Sequence, residues 1–401
     1  AEADVGETGT DSPAWGFLLS QSVRRAGTRR FRPESEVAPV VNRTEENDER
    51  VHSPGIRGRL GEFCHNSGLL HVLQRMRAWK YRDLRILAYH RVVTVADART
   101  FDFDLDLVSA SAEQFREQML LLKQRFVPMR LGDVVTAMEA GQGLPAGAVV
   151  VTFDDGYDDN YHVAYPILRE LGLPATFFVS TGHVDSGRPY DYDWLVHMVL
   201  RTTASHLHIP ELDLDLPLPE ERIGRRQLAG EILNRLKALQ AVTQSALLAR
   251  LAADLDVPMK GVHPACQPMN WEQLREMHAA GFEIGSHGVN HRMLAKLPQS
   301  ELESELRDSK ATLERELGGA ATLISYPVGG DAAFDERVVQ ATIAAGYRAG
   351  CSYISGTNPM PSANRYALYR LPVEREMSAG WFASMLTLPE LMSYPTVSRI
   401  T

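Results

Sequence analysis

Val149-Val150-Val151-Thr152-Phe153-Asp154-Asp155-Gly156-Tyr157 is the stretch around which the chain is organised. A short, apolar, β-branched run bounded by turn residues reads as a buried strand. Strand ends in α/β folds open into the crevice where ligands sit, so the two adjacent carboxylates are expected in a site. The plainer reading is a polar turn leaving a strand, the usual fate of Asp-Asp-Gly. A second stretch weighs against it: Glu283-Ile284-Gly285-Ser286-His287-Gly288-Val289-Asn290-His291. Here another strand-like run ends in two histidines four apart. A lone histidine is more often a packed or surface residue. Two at this spacing, with a carboxylate pair elsewhere, fit a His/His/Asp metal site with a position left open for water.

Thr-Phe-Asp-Asp-Gly and Ser-His-Gly-x-x-His resemble the first two motifs of the polysaccharide deacetylase family, also called the NodB-homology domain or carbohydrate esterase family 4. Ile324-Ser325-Tyr326-Pro327-Val328-Gly329-Gly330 resembles its x-x-Pro-x-Gly motif. The resemblance runs from about Leu84 to Glu374, around a large insertion. It implies an α/β fold, a distorted (β/α) barrel of the NodB-homology type, with its site at the carboxyl ends of the strands. It also implies a metal-dependent hydrolase that removes N-acetyl groups from an N-acetylated glycan or glycan precursor.

Hydrolysis of an acetamide needs a polarised carbonyl, a strong nucleophile and a proton for the leaving amine. A divalent ion supplies the first two. The resemblance implies Asp155, His287 and His291 as its ligands. Zinc suits that set best, with cobalt, nickel and iron as alternatives. It implies Asp154 as general base and the Val328 backbone N–H as donor to the oxyanion. Tyr326 and Tyr157, within or just after the motifs, are expected beside the substrate.

The chain departs from the family pattern twice. The general-acid histidine of the family lies near the C-terminus, and no histidine follows His291. His90, at the end of Ile86-Leu87-Ala88-Tyr89-His90, is the candidate replacement, because first and last strands are neighbours in a closed barrel. A Tyr-His at this place resembles a branch with permuted motif order. The competing reading is an ordinary hydrogen-bonded strand-end residue. The arginine that opens the third motif is Ser325 here. Arg370 is the candidate to orient Asp154, weighed against a surface ion pair.

Composition narrows the alternatives. The 401 residues, 44% of them hydrophobic, suffice for one large core or two domains. A net charge of −9 gives no general attraction to nucleic acid or to an anionic membrane. Cys64, Cys266 and Cys351 form neither a disulfide framework nor a thiolate metal pattern. No apolar run is long enough to cross a bilayer. The start Ala1-Glu2-Ala3-Asp4 leaves open a removed signal peptide or a fragment, and a cytoplasmic or cell-envelope location. Oligomeric state is not legible.

Along the chain, residues 1–60 read as a disordered tail. Residues 61–83 read as an amphipathic helix, with Leu69, Leu70, Leu73, Met76 and Trp79 opposite Arg75, Arg77 and Lys80. That stripe either docks on the domain or serves as a basic anchor at a membrane surface. Residues 84–376 form the catalytic domain of alternating strands and helices, with a helical insertion over about 186–267. Residues 377–401 form a C-terminal extension. Trp271 and Trp381 are weighed as sugar-stacking residues against the commoner fate of packing. A small-amide hydrolase and a catalytically silent glycan-binding protein are the competing functions.

Overall fold

Seven parallel strands close into a barrel in the computed structural model, which describes residues 56–394 apart from 97–99, 238, 258–260, 262 and 362. They are β1 (Asp83–Tyr89), β2 (Ala148–Phe153), β3 (Thr176–Val179), β4 (Glu283–Ser286), β5 (Leu323–Ser325), β6 (Ala349–Ser355) and β7 (Leu368–Pro372). Each pairs with the next in chain order, through registers such as Leu87 with Val151, Phe153 with Phe177 and Val179 with Ser286. The ring continues through Ile324 with Ser286, Ser325 with Cys351 and Cys351 with Leu368. It closes where Leu371 of β7 pairs with Leu87 of β1. Since all seven strands run one way, all seven carboxyl ends meet on one rim.

Strand alternation sorts the side chains. Val149, Val151 and Phe153 of β2 pack outward with Phe115, Met119 and Leu122 of the helix Ala112–Arg125. Val150 packs with Ile86, Phe178 and Cys351 from other strands. The same alternation carries Thr152 and Asp154 to the barrel side. The helices start where capping chemistry places them. Ser111 with Gln114, and Asn270 with Gln273, both form reciprocal capping boxes.

The amphipathic segment is two helices rather than one: α1 (Ile56–Asn66) and α2 (Leu69–Lys80). Gly68 separates them with φ 73°, a left-handed conformation that suits glycine. Residues 56–60 therefore belong to α1 and not to the expected tail, whose residues 1–55 lie outside those described. The insertion between β3 and β4 has an apolar core of its own, with Leu195, Leu207, Ile209, Ile232 and Leu251 among its members. It consists of α3 (Asp191–Arg201), α4 (Arg222–Leu236) and α5 (Ala241–Asp254). It is not wholly helical. The chain after α3 forms a hairpin, His206–Ile209 against Leu214–Pro217.

The segment expected as a C-terminal extension is built into the domain. Phe382, Met385 and Leu386 of α6 (Ala379–Thr387) join the core that holds Leu371 of β7. A Cβ on Gly61 would lie 2.8 Å from the Trp381 Cα, and one on Gly380 would lie 2.7 Å from the Glu62 Cα. The two glycines let α1 and α6 touch backbone to backbone.

Candidate metal centre

Both carboxylates leave the end of β2, yet the chain turns sharply between them. Asp155 and Gly156 adopt φ 69° and 71°. A Cβ at position 156 would stand 2.6 Å from Val179 Cγ1, so the turn needs glycine. The Asp154 N–H donates to Tyr89 O at 2.9 Å, which ties the turn to β1.

Asp154 is 2% exposed and held from two sides. Arg370, fully buried, donates to Oδ1 at 2.8 Å and to Oδ2 at 2.6 Å. The Ser325 hydroxyl donates to Oδ2 at 3.2 Å and accepts from Arg370 at 2.9 Å. Arg370 also donates to Thr152 Oγ1 and to Ser352 O. Burial alone would raise the Asp154 carboxyl; the Arg370 charge overrides it and holds the carboxyl below its ordinary value.

Asp155 presents the opposite situation. Its Oδ1 is buried and has no hydrogen-bond partner among the described residues. His287 Nε2 lies 3.4 Å from that oxygen and His291 Nε2 lies 3.2 Å from it. These are ion-pair distances without hydrogen-bond geometry. One ligand atom from each of the three residues lies within 4.8 Å of the others. His287 Nδ1 sits 2.7 Å from Ser325 O. A carbonyl only accepts, so Nδ1 carries a proton, which leaves Nε2 as the ring atom that faces Asp155. Burial pushes the Asp155 carboxyl up, but the two imidazoles pull it well below the carboxylate range. For His287, burial pushes down and the Asp154 and Asp155 carboxylates bring a net rise. An ionised oxygen this deep is costly without a compensating charge. Two imidazoles, one carboxylate and an unsatisfied buried oxygen fit a divalent cation.

His90 follows β1 on the same rim. Its N–H donates to Ser109 Oγ at 3.0 Å, and its carbonyl accepts from Asn160 Nδ2 at 2.8 Å. Asn160 opens a π-turn, Asn160–Ala164, a feature frequent at functional sites. No hydrogen bond among the described residues engages the His90 ring. Burial lowers its affinity for a proton, against the pull of the Asp155 and Asp154 carboxylates. The ring lies 5.3 Å from that of Tyr353.

Val328 has φ 65°, strained for a β-branched residue. Its N–H makes no hydrogen bond among the described residues. The side chain lines a cavity of about 130 Å³ with His291, Tyr192, Leu236, Lys237 and Gln244. The insertion thus walls one flank of the centre.

The description "Polysaccharide deacetylase" belongs to the family model that matches residues 141–350, more than half of the chain. The chain belongs to the polysaccharide deacetylase family. It is 24% identical over 238 residues to "Putative polysaccharide deacetylase YxkH" of Bacillus subtilis, covering 59% of this chain and 56% of that protein. It is 30% identical over 125 residues to a poly-beta-1,6-N-acetyl-D-glucosamine N-deacetylase of Staphylococcus aureus, covering 29% of this chain and 43% of that protein. The fold matches the Streptococcus pyogenes deacetylase PplD, solved with acetate, at TM-score 0.51 and 19% identity over 78% of this chain and 99% of that one.

Within this polysaccharide deacetylase fold, Asp154, Asp155, His287, His291, His90, Val328 and Arg370 share one rim. Two expected substrate contacts do not join them. Tyr326 is buried among Leu302, Leu306 and Val338. Its hydroxyl donates to Tyr366 O and its N–H to Cys351 O. Strand alternation explains this: Ser325 faces Asp154, so Tyr326 faces the helices. Tyr157 lies fully buried beneath the turn, with its hydroxyl donating to Asp193 Oδ2 at 2.9 Å and the Arg91 guanidinium 4.6 Å from its ring centre.

Tyr190 and Tyr192 carried no motif signal, yet their rings stand 5.1 and 5.2 Å from that of His291. The Tyr190 hydroxyl donates to the Asp155 carbonyl. His183, which had no partner pattern in the sequence, lines the same cavity, and burial lowers its pKa to about 4. Trp381 is structural, donating from Nε1 to Met392 O at 2.8 Å, and Trp271 donates to Asp185.

Proposed function

We propose that the chain is a divalent-metal-dependent hydrolase that removes acetyl groups from N-acetylated glycans or glycan precursors. The observation that carries this reading is the buried, unsatisfied Asp155 Oδ1 faced by His287 Nε2 and His291 Nε2. Family membership gives the reaction class, and the poly-N-acetylglucosamine deacetylases among its relatives favour an acetamido sugar. Zinc is the ion the ligand set suits best.

A divalent ion at these three residues would supply Lewis acidity for the acetamide carbonyl. Asp154 takes a proton from the attacking water. Its hydrogen bonds to Arg370 and Ser325 fix the carboxylate, and the arginine charge keeps it ionised. The Val328 N–H donates to the oxygen that gains negative charge as the carbonyl carbon becomes tetrahedral. His90 gives a proton to the amine nitrogen as the carbon–nitrogen bond breaks, leaving acetate and a free amino sugar. Arg370 is a positioning residue, acting through Asp154.

The test is acetate release by the purified protein from N-acetylglucosamine oligomers and from small acetamides, before and after chelation and with single divalent ions restored. The expected result is chelator-sensitive release from the oligomers. Release from small amides alone would replace the glycan with a different substrate, and no release with any ion would overturn the enzymatic reading.

A further inference from the structure

Only one of two adjacent apolar edges of α2 is used by the fold. Leu70 and Arg77 turn inward, 1% and 8% exposed. Arg77 donates to Asp83 and to Glu390 at 2.5–2.8 Å. Beside that edge, Leu69, Val72, Met76 and Trp79 recur at a spacing that places them in an arc of about 80° on a regular helix. They are 42%, 56%, 62% and 88% exposed. On α1, Leu60 and Phe63 lie one turn apart and are 50% and 67% exposed, while Gly61 abuts α6. Exposed single apolar residues are ordinary, but a row of this kind marks an interaction surface.

Charge identifies the partner. Between residues 56 and 82 the chain carries Arg57, Arg59, Arg75, Arg77, Lys80 and Arg82 against Glu62 alone. Counted through Asp83, the ion-pair partner of Arg77, the segment keeps a surplus of four positive charges in a chain of net charge −9. The stripe lies on the convex side of a helix, so it offers no groove for a peptide. A bilayer needs no shape complement, only apolar side chains to enter it and cations to meet its headgroups. Tryptophan, with an apolar body and a polar N–H, favours the lipid–water boundary.

We propose that α2, with Leu60 and Phe63 of α1, seats this protein on an anionic lipid surface. Leu69, Val72, Met76 and Trp79 enter the interface, while Arg75 and Lys80 face the headgroups. The contact is independent of the metal centre and of the reaction assigned to it.

The experiment is co-flotation of the full chain with phosphatidylcholine vesicles, with and without phosphatidylglycerol. The wild type should float with the anionic vesicles and release as salt is added. The double variant Met76→Ser/Trp79→Ser should bind at least about tenfold more weakly. Arg75→Gln/Lys80→Gln should lose the preference for phosphatidylglycerol. All of these side chains are exposed, so the thermal melting curve of each variant should match the wild type. Failure of the wild type to float with either vesicle would overturn the proposal, as would undiminished binding by Met76→Ser/Trp79→Ser. A concentration-dependent dimer that the same double variant dissociates, without vesicle binding, would assign the face to a second copy of the chain instead.

Discussion

Asp154 and Asp155 are neighbours in sequence, equally buried, and treated in opposite ways. Asp154 meets a complete set of donors: Arg370 on both oxygens and Ser325 on one. Asp155 keeps an oxygen that nothing among the described residues satisfies, with two imidazoles turned toward it. A satisfied carboxylate is a positioned one; an unsatisfied carboxylate faced by two imidazole nitrogens has room for a ligand-bound cation. Asp193 sharpens the contrast. Its Oδ1 is also buried and unpartnered. Its neighbours are the Tyr157 hydroxyl and Cys266 rather than imidazoles, and burial raises its pKa to about 7. On the reading proposed above, a cation would compensate the first of these carboxylates, whereas burial favours the protonated form of the second.

The largest effect is expected at Arg370. Arg370→Met removes the only cation bonded to Asp154 among the described residues and strands a buried carboxylate, at a cost of about 3–5 kcal/mol in stability. Urea unfolding of the variant should show this loss, together with a collapse in turnover. A variant as stable as the wild type would mean that the pair does not hold the rim.

Asp154→Asn comes next. It should retain the bound metal and lose about 10²–10⁴-fold in kcat, the usual contribution of a positioned base. Metal content and single-turnover acetate release, measured together, separate this from a structural defect. Near-native turnover would make Asp154 a purely structural partner of Arg370.

His90→Ala should lower kcat on acetamides with little change in KM, because it supplies a proton only as the amine leaves. An acetate ester with an activated phenol needs no such proton, so its hydrolysis should be spared. Equal losses on both substrates would place His90 elsewhere in the reaction, or merely in the scaffold around Ser109 and Asn160.

The smallest effect concerns Asp193. Its folded pKa of about 7 exceeds the unfolded value, so the folded state binds the extra proton between about pH 4 and pH 7. Stability from this group is therefore present at the acid end and is lost as pH rises through 7. Asp193→Asn should flatten that part of the stability profile, read as melting temperature against pH. An unchanged slope would show that Asp193 is already ionised.

Much of the site is legible in sequence because its reactive groups come in short motifs at strand ends. The alternation of apolar runs with helices implies a parallel sheet, and the resemblance to the deacetylase family implies its closure into a barrel. Arg370 is harder to read, because it reaches Asp154 from β7, far along the chain and adjacent only once the barrel closes. Tyr326 misleads because it sits inside a motif, although its neighbour Ser325 already uses the inward position. Tyr190 and Tyr192 leave no signal at all; the insertion that carries them packs around its own leucines and approaches His291 only in three dimensions. The break at Gly68 is masked in the sequence because the leucines on either side continue one apolar stripe.

The central claim is that Asp155, His287 and His291 hold a divalent cation. The most direct measurement is metal content, with melting temperature against added zinc, for the wild type and Asp155→Ala side by side. The wild type should carry one equivalent of metal and gain about 2.7 kcal/mol when free zinc is a hundredfold above Kd. Asp155→Ala should bind none and show no shift. Equal binding and equal stabilisation in the two proteins would contradict the assignment.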